Sequence, residues 1–226
     1  MRTLDRKILL ADLDTAIADY QAYSTQLVRY GVHLRWWIAR YSRGDSLEAL
    51  RSSFGTLAQK VDASARNARE EYGIDHRLFG YGPTDLEMFR DALVLLSIGL
   101  CLRAPREQVD AIADACRRGD ALIEKLVQAA GAKVAPVTTQ AFPDEFAALY
   151  QALDAQPAQR PALIAGYLQG WPAMTRQFGF RIAEQKLGYW CFEAAGMVAA
   201  LDSDDSPFVN DIHYPRDLLE FHRRAP

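Results

Sequence analysis

The chain has 226 residues, half of them hydrophobic and 24% charged, with a net charge of −3. That is the balance of a soluble globular chain able to bury a sizeable core without staples, in one large domain or two small ones. The slight negative charge excludes a global attraction to nucleic acid or anionic membranes, and three widely spaced cysteines, Cys101, Cys116 and Cys191, suit neither a disulfide framework nor a zinc site.

The opening MRTLDRKILLADLD has acids inside its apolar run and no small-residue cleavage site, so it does not read as a signal peptide. Leu9, Leu13, Ile17, Tyr20, Leu27, Leu34 and Ile38 then recur at helical spacing, which predicts one long helix from about Leu4 to Tyr41, ended by Gly44. Trp36 and Trp37 point about 100° apart on such a helix, so one faces the core and the other is the better candidate for exposure. Asp45-Ser46 offers an N-cap for a second helix, Leu47 to about Tyr72, with Leu50, Phe54, Leu57 and Val61 in its stripe. Residues 73 to 83 read as a loop. Thr84, with Glu87 three residues on, opens a third helix, Asp85 to Leu102, nearly all apolar in its second half and therefore central. Its apolar run from Ala92 to Leu102 is too short to span a bilayer, and cytoplasm is the expected compartment.

Pro105 opens a fourth helix that is expected to run to Gly131, with Val109, Ile112, Cys116, Ile123 and Leu126 inward. Lys133 to Pro143 has no helical period and makes the best internal boundary. It separates an N-terminal helical region (1–131) from a C-terminal one (132–226), expected to pack together as one globule. Asp144–Leu153 and Pro161–Gln169 read as shorter helices, Gly170-Trp171-Pro172 as a break, and Pro215 as the start of a last helix. Nothing alternates as a strand does. The expected fold is all-α, a multi-helix bundle.

Its centre is the stretch Leu187–Leu201, LGYWCFEAAGMVAAL. As a helix it is apolar all round, with Trp190, Ala194, Met197, Val198 and Leu201 on one face, and such a helix is buried on every side. Glu193 is the exception. Its carboxylate projects from an apolar surface and needs a cation or several donors. Arg176, Arg181, Lys186 and the Tyr214 hydroxyl are the candidates. Directly after come Asp202, Asp204 and Asp205, acids that oppose the helix dipole, so local helix stability does not explain them. As a metal loop they lack the glycine and distal glutamate of an EF-hand. As a plain solvated turn they need no function.

The run Tyr189-Trp190-Cys191-Phe192-Glu193-Ala194-Ala195, the acidic Leu201-Asp202-Ser203-Asp204-Asp205-Ser206 and then His213-Tyr214-Pro215-Arg216-Asp217-Leu218 resembles the C-terminal signature of the PoNi family, immunity proteins of PoNe-type bacterial nuclease toxins. The resemblance implies an all-α protein that is not an enzyme. Its partner would be a cognate antibacterial DNase toxin, delivered by a type VI secretion system. It implies no cofactor, no metal, no direct contact with nucleic acid and no membrane, and it leaves a homodimer open. Under this reading Asp202, Asp204 and Asp205, extended by Asp211, form an acidic patch against a basic toxin. Tyr189, Trp190, Glu193 and Tyr214 hold the core. Two other readings stand beside it. One is an all-α enzyme with an acid–base pocket around Glu193 and His213. The other is a helical DNA-binding regulator, against which the charge and the missing basic recognition helix both count.

Overall fold

A computed structural model describes residues 14–15, 30–72, 86–115, 119–177 and 188–224 of the chain. Among these there are nine α-helices: α1 Tyr30–Arg43, α2 Leu47–Tyr72, α3 Leu86–Cys101, α4 Arg106–Ala115, α5 Ala121–Ala129, α6 Ala147–Asp154, α7 Arg160–Gln177, α8 Phe192–Leu201 and α9 Arg216–Arg224. A short 3-10 helix, Pro157–Gln159, precedes α7, and no strand occurs among the described residues. The fold is all-α. The first helix before Tyr30, the loop at 73–83 with its Thr84 cap, and Cys116 lie outside the described residues.

Where local signals were strong, the elements follow them. Gly44 takes φ +94° and closes α1, as glycine does at little steric cost. The Ser46 hydroxyl accepts the Ala49 N–H at 3.2 Å and caps α2. Leu50, Phe54, Leu57 and Val61 are all buried. Of the adjacent pair, Trp37 faces the core and donates from Nε1 to the Leu50 carbonyl at 3.2 Å, while Trp36 is half-buried with the Arg40 guanidinium 4.7 Å above its ring.

The core is centred on α3 and α8, which pack face to face. Their approach is so close that a Cβ on Gly196 would lie 2.1 Å from Ser97 Oγ. On another side of α3, a Cβ on Gly99 would lie 2.9 Å from the Phe54 ring of α2. Two small residues thus let α3 be enclosed by neighbours, and α5 and α9 complete the packing around this pair. The buried centre expected of the C-terminal segment is α8, in which all but the two alanines at 199 and 200 are buried.

Three expectations are corrected. The fourth helix is two, α4 and α5, because Gly119 adopts φ +100° and Asp120 is a strong N-cap, its Oδ1 accepting the Leu122 N–H at 2.8 Å and the Ile123 N–H at 3.4 Å. Gly170-Trp171-Pro172 is not a break: α7 runs through Pro172. The ring removes one helical hydrogen bond, but Trp171 and Thr175 on either side are buried, and the Thr175 hydroxyl bonds the Trp171 carbonyl at 3.0 Å. Finally, α8 starts at Phe192. Gly188–Cys191 is irregular, with Gly188 at φ +98° and the Cys191 N–H donated across to the His213 carbonyl at 2.8 Å. Tyr189 and Trp190 are therefore not on the helix.

Candidate functional site

Glu193 enters the core in the first turn of α8, where a carboxylate suits the helix dipole. It is 1% exposed. Its partner is Arg90 of α3, whose Nε lies 3.1 Å from Glu193 Oε1 with the Arg90 side chain itself buried. Trp171 Nε1 donates to the same oxygen at 3.4 Å, and the Arg90 guanidinium lies 5.5 Å from the centre of the Trp171 ring. The partners proposed from sequence do not take this place as far as they are described. The Tyr214 hydroxyl goes to Asp205 instead, and Arg181, Lys186 and the side chain of Arg176 lie outside the described residues. The charge is felt around it. Burial pushes the Tyr167 hydroxyl and the Cys191 thiol well above their ordinary ranges, and the Glu193 carboxylate adds to both.

His213 packs against the same tryptophan. Its ring centroid is 5.6 Å from Trp171 and 5.1 Å from Tyr189, and its Nδ1 meets the Tyr189 carbonyl at 3.0 Å. Tyr189 and Trp190 work as a pair of half-buried clamps. The Tyr189 hydroxyl bonds Thr175 and the Pro172 carbonyl of α7. Trp190 Nε1 donates to Ser42 Oγ at 2.8 Å, and its ring stands edge-on to Tyr41 of α1, 5.3 Å between centroids. The irregular segment before α8 is thereby tied to both α7 and α1.

The acidic turn divides into two kinds of residue. Asp202 is exposed and ends α8 in the left-handed region, φ 48° and ψ 48°. The Ser203 N–H closes the cap on the Val198 carbonyl at 3.0 Å. Asp204 is exposed, and its two oxygens accept the Ser206 N–H at 3.0 Å and the Ser206 hydroxyl at 2.7 Å, which hold its carboxyl below the usual range. Asp205 is buried. It accepts Arg223 Nη1 at 2.8 Å and the Tyr214 hydroxyl at 3.2 Å, so it fastens the turn to α9. Asp211 is half-buried and accepts the His213 N–H at 2.8 Å. The acids left facing outward are Asp202, Asp204 and, in part, Asp211.

Two anchoring residues were missed from sequence. Arg90 is one. Asp120 is the other: besides capping α5, its Oδ2 accepts the Ala141 N–H at 2.9 Å and the Tyr150 hydroxyl at 2.7 Å, which ties α5 to the irregular 131–141 segment and to α6. No group of three or more metal-ligating side chains occurs among the described residues, and none of their helices is long and apolar enough to cross a membrane.

The geometry defines a class: an all-helical protein whose C-terminal part is a buried helix braced by an ion pair, with an acidic turn fastened to its end. Residues 118–218 match the family model for PoNe immunity proteins (PoNi), C-terminal. The match takes in α5 to the start of α9 and all three pieces of the signature. Among solved structures, the fold is similar to that titled "The Crystal Structure of Protein PA2201 from Pseudomonas aeruginosa", at 19% identity and TM-score 0.67 over 99% of this chain and 89% of that one. No curated protein matches the chain.

Proposed function

We propose that this chain is an immunity protein that binds a PoNe-type DNase toxin, delivered by a type VI secretion system, and neutralises it in the cytoplasm without catalysing a reaction of its own. The observation that carries the reading is the match of residues 118–218 to the PoNi C-terminal region. The physical chemistry supports it. An enzyme that grips DNA phosphates presents lysine and arginine around its cleft. Asp202, Asp204 and Asp211 on one continuous segment are a complementary set, and because hydrogen bonds already hold Asp204 and Asp211, little ordering entropy opposes their use. Asp205 serves the same face indirectly by holding the turn in place.

The test is co-expression in a bacterium with the product of the adjacent gene, which this reading expects to be a PoNe-type nuclease. The nuclease alone should degrade the chromosome and stop growth, and this protein should restore both. A nuclease that kills regardless of this protein would overturn the reading.

A further inference from the structure

Residues 206–214 form a loop with one conspicuous outward side chain. Ile212 is 81% exposed, a large hydrophobic group in water. The loop around it is firmly held. The Phe208 N–H bonds the Asp205 carbonyl at 3.0 Å, the Asp211 N–H bonds that of Phe208 at 2.9 Å, and the Tyr214 N–H bonds that of Asp211 at 3.1 Å. Phe208 and Tyr214 are buried beneath it, edge to face with 5.1 Å between centroids. Ile212 is thus presented outward by a braced loop, and its own core contacts do not account for it.

Beside it lies a cleft of about 440 Å³ between the end of α1 and the start of α9. Half-buried Trp190 supplies an aromatic wall, Tyr41 and Tyr214 line the cleft while largely buried, and Asp211 and Asp217 supply carboxylates, Asp217 accepting the Tyr41 hydroxyl. Among the described residues the one arginine lining it, Arg216, is drawn to Glu220 at 3.7 Å and to Asn210 at 3.5 Å. Aromatic surface beside carboxylates is the chemistry that receives a guanidinium, through its flat face and its charge-assisted hydrogen bonds.

We infer that this cleft docks an arginine-bearing basic surface of the nuclease, with Ile212 as the apolar anchor at its edge. The inference rests on the immunity reading and names the contact surface within it. Charge selects the occupant: a second copy of this chain, also net negative, would bring like charges together here, whereas a DNA-cutting enzyme brings the opposite sign.

The experiment titrates the full chain with a catalytically inactivated form of the nuclease from the co-expression test. Ile212→Ala should weaken binding about tenfold and Ile212→Arg about a hundredfold or more, with the melting temperature unchanged because the side chain is exposed. Asp211→Asn, which keeps the oxygen that accepts the His213 N–H, should flatten the salt dependence of binding. Gln151→Arg, on the exposed face of α6, should leave binding as it was. Wild-type affinity for Ile212→Arg would overturn the inference while leaving the immunity reading intact. So would a wild-type dimer that Ile212→Arg splits with nuclease binding untouched. A nuclease that does not bind the wild-type chain at all would overturn both.

Discussion

Arg90 and Glu193 stand 103 residues apart in the chain and form one buried ion pair, Nε to Oε1 at 3.1 Å, across the interface of α3 and α8. Both charges are out of water, so each depends on the other. Removing one takes from the other the opposite charge it faces across the interface, which costs about 3–5 kcal/mol. Glu193→Leu and Arg90→Met should each lower stability by about that amount in urea unfolding. The double variant should recover a large part of the loss, because an apolar pair of similar volume replaces a buried ion pair at little net cost. Losses that simply add would show that the two side chains are not coupled.

Glycines divide by what surrounds them. Gly166 and Gly170 lie inside α7 on its exposed side, and a Cβ on either would meet nothing within 4 Å. Alanine at each should stabilise the fold by up to about 1 kcal/mol, since it restricts the unfolded chain and collides with nothing. Gly196 is the opposite case. A Cβ there would overlap Ser97 Oγ at 2.1 Å and press on the Ser97 backbone, so Gly196→Ala should destabilise by about 1–3 kcal/mol. Thermal unfolding of the three variants checks both signs.

These contrasts also mark how far the sequence could be read. Helix α2 was legible because Ser46, Leu50, Phe54, Leu57 and Val61 state its start and its buried face within one segment. The centrality of α8 was legible because Phe192–Leu201 has no polar face beyond Glu193. The division between α4 and α5 was hidden because Val109, Ile112, Ile123 and Leu126 keep an apolar period across it, and the Gly119-Asp120 stop and cap occupies only two positions within that period. Pro172 read as a breaker because its cost is local, whereas the burial of Trp171 and Thr175 that overrides it is tertiary. The Arg90 partner of Glu193 depends on how closely α3 meets α8, and that approach is set by Gly196 against Ser97, a contact no spacing within either helix announces.

His222 gives the fold a predicted sensitivity to acid. It is half-buried in α9, and its Nδ1 meets the Leu100 carbonyl of α3 at 3.0 Å. Burial holds its pKa below the ordinary 6.5, the positive charges of Arg103 and Arg223 add to that, and the Leu100 carbonyl opposes it. A histidine depressed in the folded state takes up a proton more readily on unfolding. Its contribution is therefore present above about pH 6.5 and is lost as the pH falls through the lower folded value. Unfolding free energies measured from pH 7.5 downward should decline in this window, and His222→Gln should flatten the decline. An unchanged slope in the variant would assign the acid sensitivity to other groups.

Asp202 combines two local costs. It is a non-glycine residue at φ 48°, and it places a negative charge at the C-terminus of α8. Glycine favours the left-handed cap that Asp202 adopts and removes the charge, so Asp202→Gly should raise stability by about 1 kcal/mol. If the acidic turn meets a basic nuclease, the same substitution should weaken that complex and reduce the salt dependence of its affinity. Asp205→Asn should behave differently, lowering stability because the Arg223 and Tyr214 bonds that fasten the turn lose their charged acceptor. A gain in melting temperature with unaltered nuclease affinity for Asp202→Gly would remove Asp202 from the interface and leave its carboxylate without a role in binding.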